Sequence, residues 1–287
     1  MNFMTFAKSI STAALTLAIS TSAFAEAKII GGQVIQRNDT LAHRTVSIVM
    51  VNVENGKQGV GLCSASIIDS NHLLTAAHCV SGFQKGWVAF AMTGVMDMVM
   101  GVAKSGTPSG NVATITGAKA MPGFPGIGQG THGEEFPDFA IITFSTPTGQ
   151  LPSGYEPAHF LPRSSLASAL KIGTPVTLAG YGITSAPAGQ SEMLDMIAGD
   201  SSGTLRKVTV PLAKISPNGI DIFMQGAAGH NACSGDSGGS ANVAGGGDMF
   251  AVGVASRANC SNMSIYTVVS QEQVNSFVQA SRESFSF

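Results

Sequence analysis

Short runs of β-branched and apolar residues, broken about every ten positions by turn signals, constrain this chain more than any other feature. Residues 46–53, 62–68, 72–77 and 112–115 form a first series, with Asn55-Gly56 and Asp69-Ser70-Asn71 as turns. An apolar run at 139–144 follows Asp138. Residues 145–169 are polar and carry Pro147, Pro152, Pro157 and Pro162, which reads as a connection between two halves. A second series occupies 175–179, 205–212, 220–224, 251–255 and 265–269. Such a pattern predicts an all-β chain, a barrel or a sandwich. The exception is the end, where Ser270 and Gln273 fit a capping box and Val274, Phe277 and Val278 form a stripe, predicting a helix over 271–281. The Gly- and Met-rich segment 91–137 is the least legible. Its methionines at 92, 96, 98 and 100 alternate too closely for a helix face and read as packing against a sheet rather than as copper ligands, with 122–133 as loop.

The chain has 287 residues, of which 44% are hydrophobic, enough for a large core. Only 11% are charged and the net charge is −2, which gives a polyanion or an anionic membrane nothing to bind, so no nucleic-acid partner is expected. Residues 1–25 read as a cleaved secretory leader, with Lys8, an apolar run over 10–19 and the small-x-small ending Ala23-Phe24-Ala25. Ser11, Thr12, Thr16 and Ser20 interrupt or bound that run, which is shorter than the ~20 residues a membrane anchor needs. No later segment reads as a membrane span. Cys63, Cys79, Cys233 and Cys260 make an even set in an exported chain, so disulfides are expected. Three pairings are possible. The local one, Cys63 with Cys79 and Cys233 with Cys260, closes two short loops worth roughly 3 kcal/mol each. A zinc site would want a close Cys-x-x-Cys pair, which is absent.

Four short motifs carry the chemistry. Residues 231–239 centre on Gly235-Asp236-Ser237-Gly238-Gly239, where glycines permit unusual backbone angles and close approach of a substrate to an exposed hydroxyl. Alone, those five residues could equally be a surface turn. Upstream, His78 ends an apolar run and adjoins Cys79, a residue that can be crosslinked. Asp138 stands at the mouth of the 139–144 run, half-buried, and needs a donor such as an imidazole N–H. Finally, Lys28-Ile29 precedes Ile30-Gly31-Gly32 and reads as a processing site. Cleavage there would free an ammonium at Ile29 able to fold inward to a buried carboxylate.

In this order, IIGG at 29–32, TAAHC at 75–79, DFAII at 138–142 and GDSGG at 235–239 resemble the trypsin and chymotrypsin family of serine endopeptidases. The likeness extends to Gly180-Tyr181-Gly182, to Val208-Thr209-Val210-Pro211 and to the terminal helix. The resemblance implies an all-β domain over 29–287, with two six-stranded antiparallel Greek-key barrels at about 45–145 and 170–270, a cleft between them and a C-terminal helix. It implies Ser237 as nucleophile, His78 as base, Asp138 to orient His78, and the N–H groups of Gly235 and Ser237 as an oxyanion hole. Asp236 would receive the Ile29 ammonium, making the chain a zymogen with a propeptide at 26–28 until a second protease cuts after Lys28. No cofactor or metal is implied. A secreted monomer, extracellular or periplasmic, acting on protein or peptide substrates is expected.

Departures from the family concern specificity. Asn231 replaces the aspartate that trypsins carry six residues before the nucleophile, so a preference for Lys or Arg is not expected. Ser264 and Ala258 align with the pocket walls, Ser256 with the family's substrate-pairing serine, and Arg257 with an aromatic position. Arg257 would narrow the pocket or favour an acidic substrate residue. Ser240 stands for a usual proline and Ser64-Ala65 for usual glycines. Two other serine hydrolase classes fail. The G-x-S-x-G esterases need a histidine after the serine, and the last histidine here is His230. A subtilisin order built on Asp39 or Asp69 needs an α/β fold. The remaining alternative is an inactive member of the same fold kept as a binding module.

Overall fold

The computed structural model describes residues 29–54, 56–124, 137–184, 203–227 and 229–284. The expected leader, the propeptide with Lys28 and most of the loop expected at 122–133 lie outside the described residues. After an edge strand β1 (Gln33–Val34) and a short helix α1 (Thr40–Arg44), the first barrel comprises β2 (Thr45–Glu54), β3 (Lys57–Ile67), β4 (His72–Thr75), β5 (Phe83–Ala89), β6 (Val112–Ala120) and β7 (Ala140–Ser145). It closes in the order β2-β3-β4-β7-β6-β5. Its longest hairpin runs in register from Thr45 opposite Ser66 to Glu54 opposite Lys57. In β2, Val46, Ile48 and Met50 fill the barrel while Val49 and Val51, on the other phase, pack into a separate cluster with Ala179 and Tyr181. A strand buried on both faces reads as a continuous apolar run, as this one does.

A corresponding second barrel contains β9 (Pro175–Gly180), β10 (Arg206–Ile215), β11 (Asp221–Gln225), β12 (Ser240–Gly245), β13 (Asp248–Ala258) and β14 (Met263–Val268). Its order is β10-β11-β14-β13-β12-β9, and β9 pairs back onto β10 from Pro175 opposite Pro211 to Gly180 opposite Arg206. β1 adds to the edge of β10, and β8 (His159–Phe160) lies parallel to β13. Val176, Leu178, Val210, Leu212, Ile222 and Tyr266 are among the residues that fill this barrel. The expectation of two six-stranded barrels holds.

Several local expectations need correcting. The methionine segment packs against a sheet as expected, Met98 clustering with Val49, Val51 and Leu62, but it does so as a helix, α2 (Val95–Ser105). The alternating methionines hid a 3.6-residue period carried by Val95, Met98, Val99 and Val102, all of them buried, and Gly106 ends the helix in the left-handed conformation at φ 73°. The connection over 145–169 holds a second short helix, α3 (Arg163–Ala169). β5 and β12 were not expected, because Phe-Gln-Lys-Gly-Trp-Val-Ala and Ser-Ala-Asn-Val-Ala-Gly interrupt their apolar residues with polar ones and glycine. At the end, α4 (Gln271–Ser284) has the expected box: the Ser270 N–H donates to Gln273 Oε1 at 3.0 Å and the Gln273 N–H to Ser270 Oγ at 3.3 Å. Its Phe277 meets Phe139 edge-on at 5.6 Å, so the chain's last helix packs beneath the strand that follows Asp138.

One polar cluster ties the start of the first barrel to the second. Arg44, 6% exposed, donates to Glu156 Oε1 at 2.8 Å and to Asp248 Oδ1 at 2.7 Å, and the other Asp248 oxygen pairs with His159 Nδ1. The Arg44 hydrogen bond, with the Met249 N–H and His159, holds the Asp248 carboxyl down to about 2. A depressed folded value stabilises the protein above the unfolded value of ~3.9 and loses that effect as pH falls. Unfolding free energy is therefore expected to decline between about pH 4 and pH 2, and D248N to cost about 1–3 kcal/mol at pH 7 in urea titrations while flattening that decline.

Candidate active site

Each barrel contributes to one cleft. β4 delivers His78 at the start of a single 3₁₀ turn, His78–Val80. Cys79 is bonded to Cys63 of β3, and the Cys79 carbonyl accepts from Asn52 Nδ2 at 3.2 Å, so the turn cannot drift from the barrel wall. Asp138 lies just before β7. Its Oδ2 is 2.7 Å from His78 Nδ1, and its Oδ1 accepts the His78 backbone N–H at 3.0 Å. A carboxylate acceptor fixes the imidazole proton on Nδ1 and leaves Nε2 as the acceptor. The second barrel closes the remaining valences: Ser256 Oγ of β13 donates to Asp138 Oδ2 at 2.7 Å, and the Asp138 N–H donates to Thr267 Oγ1 of β14 at 3.1 Å. Burial works to raise the Asp138 carboxyl, but the bonds from His78 and Ser256 and the His78 charge outweigh it and bring it below the usual carboxylate range.

The glycine-rich loop fits against both barrels at contact distance. Gly235 and Gly238 have φ of 92° and 81°. A Cβ on Gly238 would lie 2.1 Å from Thr75 Oγ1, and one on Gly239 2.3 Å from the Ala179 carbonyl, so only glycine lets the loop approach this closely. Ser64 of the first barrel clamps it. The Ser64 N–H donates to the Ser237 carbonyl at 2.8 Å, and Ser64 Oγ donates to the Gly235 carbonyl at 2.9 Å while accepting the Tyr181 N–H at 3.0 Å. The serine that departs from the family's glycine is thus a joint between barrel and loop. Among the described residues, the N–H groups of Gly235 and Ser237 have no acceptor. Gly238 stands against Thr75 and Ala76, which sets the loop beside the strand end that leads to His78.

Beside Ser237 opens a cavity of about 240 Å³, walled by residues 232–234 on one side and by residues 255–258 and Cys260 on the other. The bond between Cys233 and Cys260 ties the two walls together. Ser256, Arg257 and Ala258 line it. Asn231 and Ser264 do not; they are 1% and 0% exposed and stand one layer behind. Asn231 Nδ2 donates to the Ala232 carbonyl at 2.8 Å, its Oδ1 is buried without a partner, and Ser264 Oγ accepts the Ala232 N–H at 2.9 Å. The Arg257 guanidinium bonds Asp221 Oδ2 at 2.7 Å, and Thr267 Oγ1 donates to the other Asp221 oxygen at 3.3 Å. Its charge is met inside the protein, which sequence alone did not suggest.

Ile29 is 1% exposed, Ile30 forms a bridge with Asn231, and Asp236 is 1% exposed. The Asp236 carboxylate accepts the N–H groups of Gly182 at 2.8 Å and Cys233 at 3.0 Å. Burial nonetheless pushes it up to about 7. Sequence reasoning did not single out Asp221 or Thr267; each reaches the site through strand register, which no local motif encodes.

The family model described as Trypsin matches residues 29–278. A search of curated proteins finds no match. The match begins at Ile29, takes in both barrels and ends within α4, and on that extent the chain belongs to the trypsin family of serine proteases.

Proposed function

We propose that the chain is a secreted serine endopeptidase that hydrolyses peptide bonds through a Ser237–His78–Asp138 triad and an acyl-enzyme. The observation that carries this reading is the 2.7 Å bond from His78 Nδ1 to Asp138, together with a loop that offers Ser237 and two N–H groups without acceptors among the described residues. Ser237 Oγ attacks the scissile carbonyl carbon while His78 Nε2 takes its proton. The carbonyl oxygen becomes an oxyanion that the Gly235 and Ser237 N–H groups stabilise, each such donor being worth about 3–4 kcal/mol. Collapse expels the amine, which takes the proton back from His78, and water repeats the sequence on the ester. Asp138 holds the tautomer and stabilises the imidazolium.

Residues 1–25 are read as the leader and 26–28 as the propeptide, with a second protease cutting after Lys28. The new Ile29 ammonium then neutralises Asp236, the buried carboxylate that most needs a cation. Export suits the two disulfides. Among the described residues no helix is long and apolar enough to cross a membrane. The expected species is a monomer acting on proteins or peptides. Small walls at Ala232, Ser234 and Ala258, a neutral Asn231 behind them and an Arg257 charge already met by Asp221 favour an uncharged substrate side chain over Lys or Arg.

Two measurements check this reading. After cleavage at Lys28, a fluorophosphonate is expected to label Ser237, and S237A to lose labelling and peptidase activity while keeping its fold by circular dichroism. A cleaved protein that stays unlabelled would be a binding module. Separately, the raised Asp236 value means that the protonated acid stabilises the uncut fold and that this stability, full below ~pH 4, is lost as pH rises through about 7. Urea unfolding of an uncleavable K28Q chain is expected to show that decline, and the cleaved protein to lack it.

A further inference from the structure

Arg206 begins the inward phase of β10, where it, Val208, Val210 and Leu212 are all buried while Thr209 and Pro211 are exposed. A guanidinium that is 6% exposed at an otherwise apolar position is costly unless an anion lies near. Arg206 stands directly opposite Gly180 of β9, and residues so paired in an antiparallel ladder project to the same face with Cβ atoms roughly 5 Å apart. A Cβ on Gly180 would lie 2.3 Å from Asp236 Oδ1. The Arg206 side chain therefore leaves the sheet on the face where the Asp236 carboxylate lies, across a residue that has no side chain to intervene. Its Nε–H is buried and among the described residues finds no acceptor, and no carboxylate there pairs with it directly. The electrostatics agree. Burial lowers Arg206 while the Asp236 charge raises it, and the Arg206 charge in turn draws the Asp236 carboxyl down against its burial.

We propose that Arg206 is a positioning residue for the nucleophile loop, an internal cation that supports the Asp236 charge before the Ile29 ammonium exists and gives the uncut chain a residual capacity to react at Ser237. The inference rests on the proposed zymogen reading, because only there does Asp236 wait for a cation. In the uncut chain the Ile29 nitrogen is a neutral amide, and among the described residues Asp236 has two N–H donors and Arg206 as the positive charge acting on it. Arg206 acts through Asp236 on the Gly235 and Ser237 N–H groups; it does not touch the substrate. After cleavage the ammonium supplies the larger share of the same support.

The test is the rate at which a fluorophosphonate labels Ser237 in the full chain carrying K28Q, alone and combined with R206Q or R206K, beside the cleaved wild-type protein. The K28Q chain is expected to label measurably but more slowly than cleaved protein. Adding R206Q should slow it a further ~10- to 100-fold, the loss of one charge-assisted interaction, whereas R206K should stay within about 3-fold of K28Q because it keeps the charge without the shape. Cleaved R206Q should lose less than the uncut form does, and its labelling shows that the variant folds. An unlabelled K28Q chain beside labelled cleaved protein overturns the Arg206 role and leaves the proposed function standing. So does equal labelling of K28Q and K28Q/R206Q, or a loss with R206K as large as with R206Q. Absence of label on cleaved wild-type protein overturns the proposed function itself.

Discussion

A single buried carboxylate governs the geometry of the cleft. Asp236 is held between Gly180 and Gly182, where a Cβ would lie 2.3 Å and 2.5 Å from its side-chain atoms, and it is bonded by the N–H groups of Gly182 and Cys233. Because it sits one residue before Ser237, whatever fixes Asp236 fixes the proposed nucleophile and the N–H groups around it. Two hydrogen bonds do not offset its burial, which is why its carboxyl remains pushed up to about 7. The loop is a charge away from its preferred state. Arg206 supplies part of that charge from within, and the proposed Ile29 ammonium supplies the rest.

The two barrels meet in polar bonds at the site itself. Asp138 belongs to the first barrel by sequence, yet its carboxylate and its N–H are satisfied by Ser256 and Thr267 of the second. Conversely, the loop bearing Ser237 follows β11 of the second barrel but is clamped by Ser64 of the first. Shifting one barrel against the other would leave Asp138 buried with fewer donors, a penalty of roughly 1–3 kcal/mol for each bond lost. The cleft is therefore a place where relative barrel position and the geometry around Asp138 and Ser237 are the same variable.

Much of the site was legible because its chemistry is local. Gly235 and Gly238 require backbone angles that mark the loop in the sequence, Cys79 adjoins His78, Asp138 precedes an apolar strand, and Ser270 with Gln273 announces α4. The two disulfides join the cysteines closest in sequence, as short loops favour. What stayed hidden depends on register between distant strands. Arg206 faces Gly180, and Thr267 faces Asp221, only once β9, β10, β11 and β14 are paired. α2 was obscured for a different reason: methionines at 96 and 100 flank the buried stripe and blur its period. Asn231 was readable as a neutral residue, but not as one layer removed from the cavity.

The central claim, that the charge on Asp236 sets the competence of Ser237, is tested most directly by the acyl-enzyme burst. With an activated ester and protein cleaved after Lys28, wild type is expected to release about one equivalent of alcohol per chain before steady turnover, and D236N, with His78 and Asp138 untouched, only a small fraction of that. A full burst from D236N would contradict the account.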